Sequence, residues 1–402
     1  MIKYLNPVIF ARFVRSPRAL WRWIRQRPKR SCAMFMAAAH LLGFLTSIKV
    51  VMEHRSPQGA IAWALTLNTI PYAALPAYWI FGHNNFDGYE SARQSVAEKG
   101  SYLYSNWLGD LADDRIASDQ IERRFRVLEE LAGMPFTSGN EIRLLVDGEA
   151  TFKSIFDLID HAEDYILLQY FIVRDDDLGI QLRDRLLAKA KAGVRIYFIY
   201  DEVGSVALGS SYIERLEEGG VQIQPFSSNI EGAADFRLNF RNHRKMTVVD
   251  GKAAVTGGCN VGDEYLGNDP EIGAWRDTNV MVKGPSVQSL QVSFSEDWRW
   301  ATGDEIKDLC WECALAEDGG TQAICLPTGP ADKFDTCALA YHTLIGAAAE
   351  RLWIATPYFV PDIQIVSSLQ LAALRGVDVR ILIPEKTDSQ MAHLSSFTYL
   401  EP

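Results

Sequence analysis

The sequence predicts an α/β protein with one lobe of mixed sheet flanked by helices, an incomplete second lobe, and two membrane-crossing helices ahead of both. Three observations carry this expectation. Short apolar runs alternate with amphipathic stretches beyond residue 136, a strand-helix-strand pattern occurs twice, and two long segments near the N-terminus are almost free of charge.

The front segments come first. Residues 1–30 carry nine Lys or Arg and no Asp or Glu; the chain totals −11, so the rest of it is at −20. A basic tip on an acidic body suits anionic lipid head groups, or fixes topology, and speaks against nucleic-acid binding, which needs basic charge over the working surface. From Cys32 to Ile48 the chain is apolar apart from small polar residues and His40, and from Gly59 to Gly82 there are 24 residues without a charge. Each segment is read as a span of a bilayer core of about 30 Å. Pro71 and Pro76 are expected to kink the second span without forbidding it. Nine positive charges before the first span place the N-terminus, and the large domain after the second, in the cytoplasm at the inner cell membrane.

The chain divides into a basic tail (1–30), a two-span hairpin (31–82), a polar linker with a helical stretch at Ile121–Ala132 (83–135), a first lobe (136–310) and an incomplete second lobe (320–402). In the first lobe Tyr165–Val173, Val194–Tyr200, Met246–Val249 and Ala253–Thr256 read as buried strands, and Ala150–Ala162 and Leu178–Ala192 as helices. The repeat aligns His161–Ile172 with Ala349–Val360, so that Tyr170-Phe171 matches Tyr358-Phe359, and Gly193 matches Gly376. The six cysteines are too sparse for a disulfide scaffold. Cys310-x-x-Cys313 has no second pair and no neighbouring His, so no metal is expected.

The chemistry concentrates in Asn242-His-Arg-Lys-Met-Thr-Val-Val-Asp-Gly251 and Thr256-Gly-Gly-Cys-Asn-Val-Gly262. His243 and Lys245, two apart at the edge of a strand, project to one face. A neutral imidazole can attack phosphorus while an ammonium holds the phosphate oxygens, and Asn260 offers them a neutral donor. Glycines 257 and 258 let backbone approach a bulky phosphate. Singly, each residue type is usually structural; joined at these spacings between two apolar strands, they are not an accident.

His243, Lys245 and Asp250 form HxKxxxxD, followed by GGxN at Gly257, Gly258 and Asn260. With this motif the chain resembles the phospholipase D superfamily. The front spans ending in Phe81-Gly82, Gly258–Tyr265, Trp275-Arg-Asp277, Thr356–Asp362 and Gly376–Arg380 make it similar to bacterial cardiolipin synthases within that superfamily. The resemblance implies a phospholipase D-like lobe and a metal-free, cofactor-free reaction. A histidine takes a phosphatidyl group from phosphatidylglycerol, glycerol leaves, and a second phosphatidylglycerol accepts the group to give cardiolipin. It also implies His243 as one of two paired catalytic histidines, Lys245 and Asn260 as phosphate ligands, Asp250 in a positioning role, and Asp277, or else Glu264, as the carboxylate orienting His243.

The family pairs two such motifs, whereas residues 1–402 hold one. Three readings stay open: a truncated, catalytically incomplete product, a second chain that supplies the other motif, or a membrane-bound remnant that binds without catalysis. Hydrolysis by the same covalent route is the rival enzyme reading. An incomplete second lobe is expected to leave sheet edges and apolar faces uncovered.

Overall fold

The computed structural model describes residues 28–53, 57–82, 116, 121–226, 241–270, 272–312, 315–317, 320–329, 332, 334–385 and 390–399. Residues 1–27 of the basic tail, most of the linker 83–135, and Cys313 lie outside them. The chain forms two units, one of residues 1–85 with 235–239 and one of the remainder.

The first unit follows from apolar sequence punctuated by proline. Helix α1 (Pro28–Glu53) is 26 residues long, and its stretch Ser31–Met52 is long and apolar enough to cross a membrane. The second expected span is divided. Pro71 has no N–H to continue the helical ladder, and Ile70 before it leaves the helical conformation (φ −133°, ψ 56°), so α2 (Pro57–Thr69) ends and α3 (Pro71–Phe81) begins. These helices have 13 and 11 residues, each too short alone for a hydrocarbon core. Among the described residues, α1 is therefore the one helix with the length and composition of a span. The three helices share a core of Val50, Ala60, Leu67, Ala74, Leu75 and Tyr78. Gly43 sets their approach: a Cβ there would lie 2.2 Å from the Leu67 carbonyl oxygen. Large apolar side chains, among them Phe35, Leu41, Leu45, Ile61, Leu65 and Trp79, face outward.

The second unit opens with α4 (Arg126–Ala132) and is built on β1 (Thr137–Val146), α5 (Asp147–Asp160), β2 (Tyr165–Tyr170), α6 (Asp177–Lys191), β3 (Arg195–Tyr200), α7 (Ser210–Glu218), β4 (Gln222–Pro225), β5 (Met246–Val249), β6 (Ala253–Gly257), β7 (Thr278–Lys283), α8 (Ser286–Thr302) and β8 (Thr321–Ala323). The sheet order is β4-β3-β2-β5-β6-β7-β1-β8. Strands β2, β3 and β4 run parallel, and every pairing from β2–β5 onward is antiparallel, so the sheet is mixed. Every residue of β2 is buried, as an unbroken apolar run requires when both sheet faces are covered. One face packs Phe152, Ile155, Leu178, Leu182, Tyr212 and Leu216 from α5, α6 and α7. The other packs Val287, Leu290, Phe294 and Trp298 of α8.

The strands and helices read from sequence in the first lobe are present within a few residues. Strands β1 and β7 and helix α8 had no such signal. β1 mixes Asn140, Glu141 and Arg143 with its apolar residues, and α8 carries Ser, Gln and Asp around most of its circumference although nearly all of it is buried.

Asp250 ties the sheet to the turn between β5 and β6. It sits in the left-handed region (φ 52°), and its carboxylate accepts from the backbone N–H of Glu163 (2.9 Å), Asp164 (2.8 Å) and Tyr165 (2.8 Å). The start of β2 is thereby pinned to the end of β5, the strand that follows His243 and Lys245.

The repeat appears as a second strand-helix-strand unit. Helix α9 (Thr336–Ala347) leads into β9 (Arg351–Ala355), α10 (Ile363–Leu374) and β10 (Asp378–Leu382), followed by α11 (Gln390–Ser396). β9 and β10 pair in parallel from Arg351↔Asp378 to Ala355↔Leu382, as β2 and β3 do from Tyr165↔Arg195 to Tyr170↔Tyr200. Asp362 caps α10, accepting from the N–H groups of Gln364 and Ile365, both at 2.8 Å. Among the described residues this sheet has two strands, and Trp353, Leu371, Leu374, Leu382, Met391 and Leu394 are exposed.

Asp250→Ala removes a carboxylate shared by three backbone donors and places Ala at positive φ. It is expected to cost about 3 kcal/mol of stability. Asp250→Asn, which tolerates the left-handed conformation, should cost less; thermal unfolding of detergent-solubilised protein compares the two.

Candidate active site

The irregular segment before β5 brings His243, Arg244 and Lys245 to a cleft of about 510 Å³, whose walls include Phe226, Met246, Thr256, Leu290, Leu326 and Pro327. Lys245 is buried while the His243 ring reaches solvent. The Lys245 Nζ lies 3.1 Å from His243 Nδ1 and 3.4 Å from Nε2, and donates to the His243 carbonyl oxygen at 2.8 Å. The two side chains thus meet on one side of the strand, as their spacing requires.

Their electrostatics suit a nucleophile beside an anion holder. Burial, with the charge of Lys245 second, lowers the pKa of His243 below the ordinary imidazole value of 6.5. The carboxylate of Asp201 pulls weakly the other way. Burial pushes Lys245 down to about 8, and the charge of Asp277 is the leading influence that holds it up. At neutral pH the imidazole is free to attack and most of the lysine carries a proton.

The glycines act through close approach. A Cβ on Gly258 would lie 2.1 Å from Asp277 Oδ1, and one on Gly257 would lie 2.3 Å from Asn279 Oδ1. The Gly-Gly pair therefore brings the Asp277 carboxylate against the motif backbone. Cys259, next in line, is buried against Asn279, and its thiol is pushed up to about 12, chiefly by burial and then by Asp277.

The remaining expected residues sit around this centre. Asn260 is buried; its carbonyl oxygen accepts from Ile172 N–H (3.0 Å) and its amide donates to the Tyr265 hydroxyl (2.7 Å). Asp277 accepts from Trp275 Nε1 (3.2 Å) and Thr278 N–H (2.7 Å), and Trp275 packs edge-on against Tyr265 with centroids 4.8 Å apart. Glu264 pairs with Arg174 Nε at 3.1 Å. The hydrogen bonds of Asp277 and Glu264 thus go to groups other than His243, and Asp277 exerts its charge on Lys245. Asp250 stands at the far end of β5, spent on the backbone of β2.

Two carboxylates that the sequence did not single out hold the approach loop. Asp297 of α8, fully buried, accepts from Gln169 Nε2 (2.6 Å), Asn242 Nδ2 (2.9 Å) and Arg244 Nη1 (2.7 Å). Asp201, at the end of β3, accepts from Asn242 N–H (3.1 Å) and from the N–H groups of Val203 (2.9 Å) and Gly204 (3.0 Å). Together they grip both sides of the residue before His243. The signal available in sequence was Arg244 flanked by Asn242, donors that need a buried acceptor; its location in α8 has no local sequence mark.

The family model described as "Cardiolipin synthase, PLD-like domain" matches residues 155–298 and 341–401, which take in His243, Lys245, Asp250, Asn260 and Asp277. The chain belongs to the cardiolipin synthase family. It is therefore a phosphatidyltransferase-type enzyme within the phospholipase D superfamily. It is 43% identical to cardiolipin synthase A of Pseudomonas fluorescens strain SBW25 over 374 residues, covering 91% of this chain and 77% of that one. It is 45% identical to cardiolipin synthase A of Pseudomonas entomophila strain L48 over 364 residues, covering 89% and 75%. Among solved structures it is similar in fold to phosphatidylserine synthase of Haemophilus influenzae, with a TM-score of 0.50 at 15% identity over 69% of this chain and 72% of that one.

Replacing Asp297 by Ala in this cardiolipin synthase family member takes away the acceptor that Gln169, Asn242 and Arg244 share. A loss of about 3 kcal/mol is expected, together with faster trypsin cleavage at Arg241 or Arg244; cleavage at the wild-type rate would show that the loop is held by other means.

Proposed function

We propose that His243 is the residue through which this chain transfers phosphatidyl groups between phosphatidylglycerol molecules, giving cardiolipin and glycerol. The observation that carries the reading is a lowered-pKa imidazole in hydrogen-bonding reach of a buried ammonium at the wall of a partly apolar cleft. In the first step the His243 nitrogen bonds to phosphorus, the P–O bond to glycerol breaks, and the proton from the imidazole leaves with glycerol. In the second step the hydroxyl of another phosphatidylglycerol bonds to phosphorus, the P–N bond breaks, and that hydroxyl's proton returns to the imidazole.

Lys245 holds the non-bridging phosphate oxygens and offsets the charge gathering there. Asn260, with one amide hydrogen on Tyr265, directs its second toward the same oxygens. Asp277 sets how firmly Lys245 keeps its proton, and Asp250 fixes the strand. No metal or cofactor enters this scheme. A second His-x-Lys from another chain would hand the leaving glycerol its proton directly and speed the first step.

The membrane placement belongs to the same reading. Helix α1 forms one span, and α2 with α3, 25 residues from Pro57 to Phe81 with a break at Ile70, forms a bent second span packed against it. The basic tail then lies on the cytoplasmic side of the inner membrane with the catalytic unit, within reach of lipid head groups.

Labelled phosphatidylglycerol supplied to membranes carrying the chain, with a partner bearing the second motif, is expected to leave an acid-labile phosphatidyl group on His243. His243→Ala should lower cardiolipin formation by about a thousandfold; equal product from both would end this reading. The pH profile of adduct formation should show an acid limb below 6.5, where the imidazole gains its proton, and an alkaline limb at about 8, where Lys245 loses its own. Asp277→Asn removes the charge that raises Lys245 and should shift the alkaline limb to lower pH. Lys245→Arg should shift it upward out of range.

A further inference from the structure

Of the Tyr170-Phe171 pair, matched in the repeat but given no role in the scheme above, the second member lies against His243. Tyr170 turns into the core and bonds Thr247 Oγ1 through its hydroxyl (2.7 Å). Phe171, one residue on, turns the other way. Its ring lies 4.7 Å from the His243 ring, tilted by 49°, and 5.6 Å from Lys245 Nζ. One benzene ring thus touches both side chains of the motif.

That ring is seated by its surroundings. The Phe171 carbonyl oxygen accepts from Ser205 Oγ (3.2 Å), and the next backbone N–H, of Ile172, donates to the motif residue Asn260 (3.0 Å). Gly204 makes the space: a Cβ there would lie 2.2 Å from the Phe171 oxygen and 2.9 Å from the edge of its ring. Two hydrogen bonds thus fix the backbone that carries Phe171, and the space left at Gly204 lets its ring lie against the nucleophile. Phe171 is not a core residue: it is only half-buried.

We infer that Phe171 is a specificity-determining residue that shields phosphatidyl-His243 from water and so directs the phosphatidyl group to a lipid hydroxyl. The inference rests on the covalent route proposed above. With Lys245 on the edge of the imidazole and Phe171 against the ring, attack on phosphorus has to come from the cleft. The cleft walls there include Phe226, Leu290, Leu326 and Pro327, which favour an acceptor arriving with apolar mass. The two fates of the adduct have the same balance. The P–N bond breaks in each, and the new P–O bond is made either by a lipid hydroxyl, giving cardiolipin, or by water, giving phosphatidic acid; the attacking oxygen's proton goes to the imidazole.

The experiment follows labelled phosphatidylglycerol in vesicles with the full chain, supplied with a second chain bearing His-x-Lys, and reads the ratio of phosphatidic acid to cardiolipin. Phe171→Ala is expected to raise that ratio by about fivefold or more, the scale of one aromatic contact, while label still reaches His243. Phe171→Leu, which keeps apolar bulk, should stay within about twofold of the wild type. Gly204→Ala, which displaces the ring from behind, should move the ratio in the same direction as Phe171→Ala. If Phe171→Ala slows both products equally and leaves the ratio unchanged, the ring only positions His243 and the inference fails. If Phe171→Ala does not fold, an unchanged ratio in Gly204→Ala overturns it instead. Absence of label on wild-type His243 is a different result, which removes the covalent route itself.

Discussion

A lysine ammonium buried within 3.1 Å of an imidazole is the constraint around which this molecule is arranged. Burial weakens the hold of both groups on their protons, and the charge of Lys245 weakens that of His243 further. Left alone, such a lysine would lose its charge near neutrality. Asp277 limits the loss, and it can act only because Gly258 has no side chain to keep it away. The glycine-rich segment, commonly read as room for phosphate, is here also room for a carboxylate.

The same constraint explains the polar character of α8. A loop that presents His243 to a cleft must be stiff, yet Asn242 and Arg244 on either side bring donors into the interior. Asp297 answers both, and it brings Gln169 of β2 into the same cluster. Ordinarily a buried carboxylate is a liability. Three donors, one of them a guanidinium, turn it into a clamp.

How much of this was legible in the sequence divides along physical lines. The strands that carry unbroken apolar runs, β2, β3, β5 and β6, were legible because burial on both faces leaves no other composition possible. His243, Lys245, Gly258 and Asn260 were legible because their spacing is fixed by a strand and a tight turn. Asp297, Asp201 and Phe171 were not. Each reaches the site through tertiary packing across 42 to 72 residues of chain, and nothing local distinguishes an acid that will be buried from one that will be solvated. Glu264 pairs with Arg174 and the charge of Asp277 acts on the lysine, partners that only the packed chain assigns. The second expected span shows the limit of hydropathy. Its composition was read correctly, but the break at Ile70 is a backbone effect of Pro71 that charge counting does not register.

The two repeat units make the difference between local and tertiary information measurable in one chain. β2 with β3, and β9 with β10, arise from similar sequences and adopt the same parallel register. Yet β2 is buried along its whole length while β9 alternates between exposed and half-buried residues. Strand formation and register therefore come from the unit itself, while burial comes from what is laid against it. For β2 that is β5 on its free edge and α8 on its second face. β9 pairs with β10 alone among the described strands, and its Trp353 remains in the open, bonded through Nε1 to Asp378 (3.1 Å) with the guanidinium groups of Arg351 and Arg380 over its ring. An aromatic ring held between two arginines satisfies part of the demand that a second sheet face meets in the first lobe. It does not replace it: cation–π contacts at exposed sites are each worth about 0.5–1 kcal/mol, below the roughly 1.5–3 kcal/mol gained when a large apolar side chain is fully buried.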